Sequence, residues 1–120
     1  MKKVLLLIVC FASLSTIALC QEITPNQLRK EFKENEFAFE EKYKGKEIII
    51  TGKVEEVGRQ MISGQPKISF DAGGLYFVHC RLPEDSKSSL AKISPGDKLS
   101  LKAIYDKKSV TTLFFDCELP

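Results

Sequence analysis

Hydrophobic positions follow two different periods along this chain, and the change between them divides the sequence into two parts. Leu28, Phe32 and Phe39 recur at nearly helical spacing through a charged stretch. The segment 24–27 (TPNQ) precedes them, with a hydroxyl N-cap, proline at the first helical position and a glutamine that closes a capping box. The pattern therefore predicts one amphipathic helix from about Pro25 to Glu41.

After residues 43–46 (YKGK) the hydrophobic period becomes two, which is typical of β-strands. Gly52 lies inside the first strand, where we expect a bulge or a sharp bend. A polar stretch from Pro83 to Ile93 predicts a short connecting helix. Five strands are predicted, at 48–57, 66–72, 75–82, 98–105 and 110–119. This order of elements is that of a mainly β (α+β) protein with an OB-fold, which is a five-stranded Greek-key barrel. In this fold the third strand closes against the fifth. Here an N-terminal helix precedes the barrel, and a short helix joins strands 3 and 4.

Alternation along these strands predicts which side chains point into the barrel. The inward set is Ile48, Ile50, Val54, Ile68, Phe70, Ala72, Val78, Cys80, Leu82, Leu99, Leu101, Ala103, Tyr105, Leu113, Phe115, Cys117 and Leu119. Cys80 and Cys117 therefore face each other across the third and fifth strands. We expect a disulfide between them, with two buried thiols as the alternative.

The opposite face of the second and third strands is where OB-folds usually bind their ligands. Its candidate contacts are Lys67, Ser69, Phe77, His79 and Arg81. Phe77 would stack on a ligand, Lys67 and Arg81 would meet an anionic group, and His79 would serve as a neutral donor or acceptor. The alternative, which we favour for Phe77, is that its ring packs under the N-terminal helix.

The first residues have the pattern of a secretory signal, because Lys2 and Lys3 are followed by an apolar run from Val4 to Leu14. We expect residues 1–20 to be removed, leaving a helical segment at 21–43 and a barrel at 44–120, with no transmembrane span after processing. Export places the protein in the periplasm or outside the cell. Residues 17–20 (IALC) also allow a lipobox, which would make Cys20 a lipidated N-terminus and the protein a membrane-anchored lipoprotein.

Charge and composition restrict the classes of function. The chain has 18 basic and 16 acidic residues, and because Lys2 and Lys3 lie in the predicted signal the remainder is neutral. Neutrality disfavours a nucleic-acid partner, which requires clustered Lys and Arg.

Catalytic and metal-binding patterns are not found in the sequence. His79 and Cys80 are adjacent in a strand and point to opposite faces, so they cannot form a catalytic dyad. A single histidine without Cys-x-x-Cys or clustered carboxylates predicts no metal site. We therefore expect a non-enzymatic protein without a cofactor.

Several short segments between Leu28 and Leu119 share a pattern with a known protein family. They are Asn35-Glu36 with Ala38, Tyr43-Lys44-Gly45-Lys46, Thr51-Gly52-Lys53-Val54, Cys80, Gly96-Asp97 and Asp116-Cys117. These segments resemble the tRNA_anti-like family of bacterial OB-fold proteins. The resemblance implies an N-terminal helix packed on an OB barrel, often behind a signal or lipoprotein leader, and it implies no catalytic residue.

The sequence thus favours an exported, non-enzymatic OB-fold module that binds an envelope ligand on the face of strands 2 and 3. The expected ligand is an oligosaccharide, a peptide or a protein. One alternative is a structural or regulatory subunit of an envelope protein complex. Another is nucleic-acid binding through basic loops such as Lys107-Lys108.

Overall fold

The predicted strands form a closed barrel in the computed structural model, which describes residues 21–109 and 111–120. The predicted signal sequence and Cys20 lie outside these residues. The elements in chain order are β1 (Gln21–Ile23), α1 (Pro25–Glu34), α2 (Glu36–Tyr43), β2 (Glu47–Arg59), β3 (Pro66–Asp71), β4 (Phe77–Arg81), a 3₁₀ turn (Glu84–Ser86), α3 (Lys87–Leu90), β5 (Lys98–Lys108) and β6 (Thr112–Glu118).

Closure of the barrel depends on β2, which is long enough to pair with two neighbours. Its first half pairs with β5 and its second half with β3, both antiparallel. β3 pairs with β4, β4 pairs in parallel with β6, and β6 returns to β5. The third barrel strand, β4, therefore closes against the fifth, β6, which confirms the predicted OB-fold.

The irregularity expected at Gly52 occurs further along β2. The register shifts between Val54 and Glu56, where β2 changes partner from β5 to β3. Gly52 has a different role, because a Cβ atom at this position would lie 2.8 Å from Cγ of Pro25. The missing side chain lets α1 begin directly against the barrel wall.

The prediction of one N-terminal helix was wrong, because the chain forms α1 and α2 with a break at Asn35. The backbone of Asn35 is extended, with φ −164° and ψ 99°. Its side-chain oxygen accepts hydrogen bonds from the backbone N–H of Phe37 and Ala38, at 3.1 and 3.0 Å. Asparagine competes with the helical backbone in this way, so it ends α1 and caps α2.

Two further elements differ from the prediction. β1 was not predicted; it pairs in parallel with β2 over residues 48–50 and buries Ile23. The connecting helix predicted from Pro83 to Ile93 is shorter, and only α3 and the 3₁₀ turn are helical. The apolar Leu90 is buried at the end of α3.

The core agrees with the predicted alternation. Every residue of the inward set is buried except Leu99 and Leu119, which are partly buried and pack against the others. The predicted disulfide is present, joining Cys80 of β4 to Cys117 of β6 with their Cα atoms 5.3 Å apart. Phe39 of α2 packs on Tyr105 of the barrel with ring centroids 5.2 Å apart, which fixes the helical segment to the wall.

Candidate functional site

A groove of about 690 Å³ runs across the outer face of β3 and β4, between two hairpin loops. We call it the hairpin groove. It is lined by Gln60, Met61, Ile62, Ser63, Lys67, His79, Arg81, Lys107, Lys108, Ser109 and Phe114. Three of the predicted contacts, Lys67, His79 and Arg81, therefore share one concave surface.

The β2–β3 loop forms one wall of the hairpin groove. Its ends are tied by a hydrogen bond from the Gln60 N–H to the Gln65 carbonyl at 2.9 Å. Gly64 adopts φ +73°, which an L side chain rarely tolerates. This tight loop leaves Met61 and Ile62 96% and 99% exposed at its tip. Two large apolar side chains thus stand in solvent beside the groove.

The β5–β6 hairpin forms the opposite wall. The Ser109 N–H donates to the Thr112 carbonyl at 2.8 Å, and the register shifts between Tyr105 and Lys107. This geometry places two basic side chains, Lys107 and Lys108, along the rim. Lys108 Nζ lies 2.9 Å from Glu36 Oε2 of α2, so an ion pair holds the hairpin against the helical segment.

Arg81 sits in the floor of the hairpin groove with two carboxylates around its guanidinium. Its Nη2 atom lies 2.7 Å from Asp106 Oδ2 and 2.8 Å from Asp116 Oδ1. The side chain is only 15% exposed. A cation already paired with carboxylates from β5 and β6 is chiefly a link between strands. Lys107, which forms no ion pair within the described residues, is therefore better placed than Arg81 to meet an anion.

Lys67 and His79 complete the floor. Lys67 Nζ lies 3.8 Å from Glu56 Oε1, and its side chain is 13% exposed. His79 meets Phe114 edge to face with ring centroids 5.4 Å apart. Burial, helped by the nearby positive charge of Lys67, lowers the pKa of His79 to about 4. The imidazole is therefore neutral at pH 7, as the sequence predicted.

The two remaining predicted contacts lie outside the hairpin groove. Ser69 is 2% exposed, so its hydroxyl is covered and does not line the groove. Phe77 lines a second cavity of about 460 Å³ between the helical segment and the barrel, which we call the helix pocket. The helix pocket is lined by Arg29, Phe32, Lys33, Glu34, Asn35, Glu36, Phe37, Tyr76, Phe77, Ser109, Thr111, Thr112 and Leu113. Phe77 thus lines a cavity beside the helical segment, and the packing of its ring under the N-terminal helix stays a prediction.

Met61, Ile62 and Phe114 line the groove but were missed in the sequence. Phe114 could have been found, because the alternation that buries Leu113 and Phe115 turns the ring between them outward. Met61 and Ile62 lie in a loop, so strand alternation gives no indication of their direction. Their contribution depends on where the β2–β3 loop lies relative to the β5–β6 hairpin.

The structure places the side chains of His79 and Cys80 on opposite sides of the barrel wall. The Cys80 sulfur is in the disulfide inside the barrel, whereas the His79 ring lies on the outer face next to Phe114. Within residues 21–109 and 111–120, no cluster of histidine, cysteine or carboxylate side chains could hold a metal ion. None of the helices in the same part of the chain is long and apolar enough to span a bilayer.

Comparison with known proteins places this geometry among OB-folds. The sequence profile of the tRNA_anti-like family matches residues 1–118. A candidate nucleic acid-binding lipoprotein from Klebsiella pneumoniae has a similar structure, with a TM-score of 0.64 and 13% identity over 81% of this chain and 87% of that one. A candidate aspartyl-tRNA synthetase from Leishmania major also has a similar structure, with a TM-score of 0.55 and 10% identity. The match covers 89% of this chain and 21% of the synthetase chain. No curated protein matches the sequence.

Proposed function

The chain belongs to the tRNA_anti-like family, and from this membership and the groove geometry we propose that it is an exported, non-enzymatic OB-fold binding protein. Its ligand is an extended segment of an envelope protein with acidic and apolar side chains, held in the hairpin groove. The observation that carries the proposal is that the face of β3 and β4, the β2–β3 loop and the β5–β6 hairpin converge on one groove. These are the surfaces that OB-folds use for chain-like ligands.

The chemistry of the hairpin groove supports an acidic and apolar partner. Every charged side chain among its described lining residues is basic. Lys107 forms no ion pair within the described residues, so it is free to meet a carboxylate. Met61 and Ile62 offer apolar contacts at the adjoining loop tip. Large exposed apolar side chains beside a polar rim are typical of protein contact sites.

A protein segment fits the groove better than a neutral oligosaccharide. Sugars bind well on open aromatic faces, and Phe114 is the only Phe, Tyr or Trp among the described lining residues. Its ring makes a T-shaped contact with His79, and Lys107 Nζ lies over the ring, 5.9 Å from its centroid. The face of Phe114 is therefore partly occupied by the protein's own side chains.

Site-specific photo-crosslinking tests this proposal in the cells that make the protein. A benzophenone amino acid replaces Ile62 in one variant and Leu75 in the control, since Leu75 is 78% exposed in the β3–β4 turn and lines neither cavity. We expect one envelope protein to be joined to position 62 and none to position 75. Adding Lys107→Gln should weaken the crosslink at position 62. Equal capture at both positions would contradict the proposal.

Single-stranded nucleic acid is the second candidate ligand. Lys107 and Lys108 lie side by side at the groove rim with Lys67 in the floor, which is an arrangement that could follow a phosphate backbone. Anisotropy of a labelled oligonucleotide separates the two candidates. A nucleic-acid ligand requires affinity that falls steeply with added salt and falls again in a Lys107→Gln/Lys108→Gln variant. The envelope-protein proposal expects no saturable binding at low salt.

Export and anchoring are part of the proposal and have their own measurement. Cleavage after Cys20 would leave Gln21 as the first residue of the mature protein. Intact mass of the protein from its native envelope distinguishes a start at Gln21 from an acylated Cys20. The first result would give a soluble binding protein and the second a membrane-tethered one. A full-length chain that retains residues 1–20 would contradict both.

A further inference from the structure

We propose that the helix pocket is a second binding site, which takes a small organic anion with a flat aromatic or apolar body. This site shares only Ser109 with the hairpin groove among the described lining residues, and it does not depend on the function proposed for the groove. Its volume of about 460 Å³ is in the range of small-molecule sites. The proposal rests on aromatic walls, on two cations without carboxylate partners and on a buried donor that makes no hydrogen bond.

Aromatic side chains from three parts of the chain form the walls of the helix pocket. Phe32 of α1, Tyr76 of the β3–β4 turn and Phe77 of β4 line it together. Phe37 stands at the first turn of α2 and is 84% exposed. A flat apolar ligand would therefore meet rings on several sides, and it would cover the exposed ring of Phe37.

Two cations converge on one ring of this wall. The Cζ atom of Arg29 lies 4.9 Å and the Nζ atom of Lys33 lies 5.4 Å from the centroid of Tyr76. They are one helical turn apart on α1, a spacing at which like charges destabilise a helix. Neither cation forms an ion pair with any of the described residues. An anion placed between them would relieve this repulsion.

Arg29 also has an unused hydrogen-bond donor. Its Nε atom is buried and has no hydrogen-bond partner. The guanidinium is confined against the β3–β4 turn, since a Cβ atom on Gly73 would lie 3.7 Å from Arg29 Cζ. A buried donor without a partner costs free energy. A carboxylate, sulfonate or phosphate group on the ligand would accept from this guanidinium.

Binding of 8-anilinonaphthalene-1-sulfonate to the processed chain, followed by fluorescence titration, tests the site. This probe combines an aromatic body with one negative charge, and N-phenyl-1-naphthylamine is its uncharged counterpart. Arg29→Gln and Lys33→Gln remove the cations, and Phe37→Ala removes a ring whose exposure makes it dispensable for folding. Lys30→Gln is the matched control, because Lys30 is exposed on the same helix and does not line the pocket.

We expect saturable binding of the sulfonate, about tenfold weaker in Arg29→Gln and weakened in Lys33→Gln and Phe37→Ala. Lys30→Gln should bind as the wild type does. The uncharged probe should bind more weakly than the sulfonate. Ile62→Ser, which changes only the hairpin groove, should leave the affinity unchanged, so this site can fail without affecting the groove proposal. No saturable binding, or equal affinity in Arg29→Gln and wild type, would overturn the proposal.

Discussion

The imidazole of His79 stands edge to face against the ring of Phe114, with centroids 5.4 Å apart and planes at 84°. The ring centroid of Phe77, two residues earlier on β4, lies 6.4 Å from that of His79. The Nδ1 atom of His79 is buried and has no hydrogen-bond partner. Burial among these rings and the charge of Lys67 favour a neutral imidazole, and they outweigh Glu56, which favours the protonated form.

Stability should therefore depend on His79 in mildly acidic solution. The unfolded imidazole has its ordinary pKa of about 6.5, whereas burial lowers the folded pKa to about 4. Between these values the unfolded state binds more protons, so this contribution to stability is complete above pH 6.5 and is lost as the pH falls toward 4. The full pKa difference would correspond to about 3 kcal/mol, and because the imidazole is only half-buried, solvent screening makes the expected loss a fraction of this.

Urea denaturation at pH 7 and pH 4.5 measures this effect. Wild type and His79→Gln are compared, because glutamine is polar and does not titrate. We expect the wild type to lose more stability than the variant over this interval. If both proteins lose the same amount, His79 is not the group that responds.

Glu31 connects α1 to α2, and its removal should destabilise the protein. Its Oε1 atom accepts hydrogen bonds from the Tyr43 hydroxyl at 2.8 Å and from Lys42 Nζ at 3.2 Å. Burial by itself would raise the pKa of Glu31, but these donors outweigh it and hold the pKa below its usual value. Tyr43 is 1% exposed, so Glu31→Ala leaves its hydroxyl without this partner. We expect a loss of about 1–3 kcal/mol in the free energy of unfolding. Glu41→Ala, on the exposed side of α2, should change it little.

Gly52 should tolerate no side chain, because α1 begins against it. An added Cβ would lie 2.8 and 2.9 Å from Cγ and Cδ of Pro25 and 3.1 Å from Cδ1 of Phe70. Gly52→Ala should therefore cost about 1–3 kcal/mol through overpacking. Gly58→Ala is the matched control in the same strand, since a Cβ there meets nothing within 4 Å. Equal thermal midpoints for the two variants would show that α1 shifts away from the wall at no cost.

The disulfide should contribute a large part of the stability of this small barrel. Cys80 and Cys117 are 37 residues apart in sequence, and the chain-entropy model gives about 3.9 kcal/mol for closing a loop of this length. Cys80→Ala/Cys117→Ala should lower the urea midpoint accordingly. In the wild type, two alkylatable thiols should appear only after reduction. Equal midpoints with and without the disulfide would contradict the expectation.

Alternation along the strands was enough to predict the barrel and its core. Ile50, Phe70, Val78 and Phe115 are buried as their positions required, because successive side chains of a strand point to opposite faces. The same alternation predicted that both cysteines point into the barrel. Their disulfide could then be predicted because an OB-fold places the third strand beside the fifth. The alternation of apolar and polar residues within a strand is a local property, so it can be read from the amino-acid sequence.

Helix boundaries were decided only in part by the local sequence. Asn35 lies between two helical segments. The charged residues around it are compatible either with one continuous helix or with a break. The break is stabilised because α2 can then pack Phe39 on Tyr105 of the distant strand β5. β1 likewise exists only through its pairing with β2.

In the candidate sites, too, the sequence predicted part of the arrangement and the tertiary structure decided the rest. Sequence placed Lys67, His79 and Arg81 on one outer face, but it could not show that Asp106 and Asp116 surround Arg81 or that Ile62 and Lys107 flank the same groove. These neighbours are far apart along the chain, and only closure of the barrel brings them together. The period of a strand fixes the direction in which a side chain points, whereas its partner across space depends on the path of the whole chain.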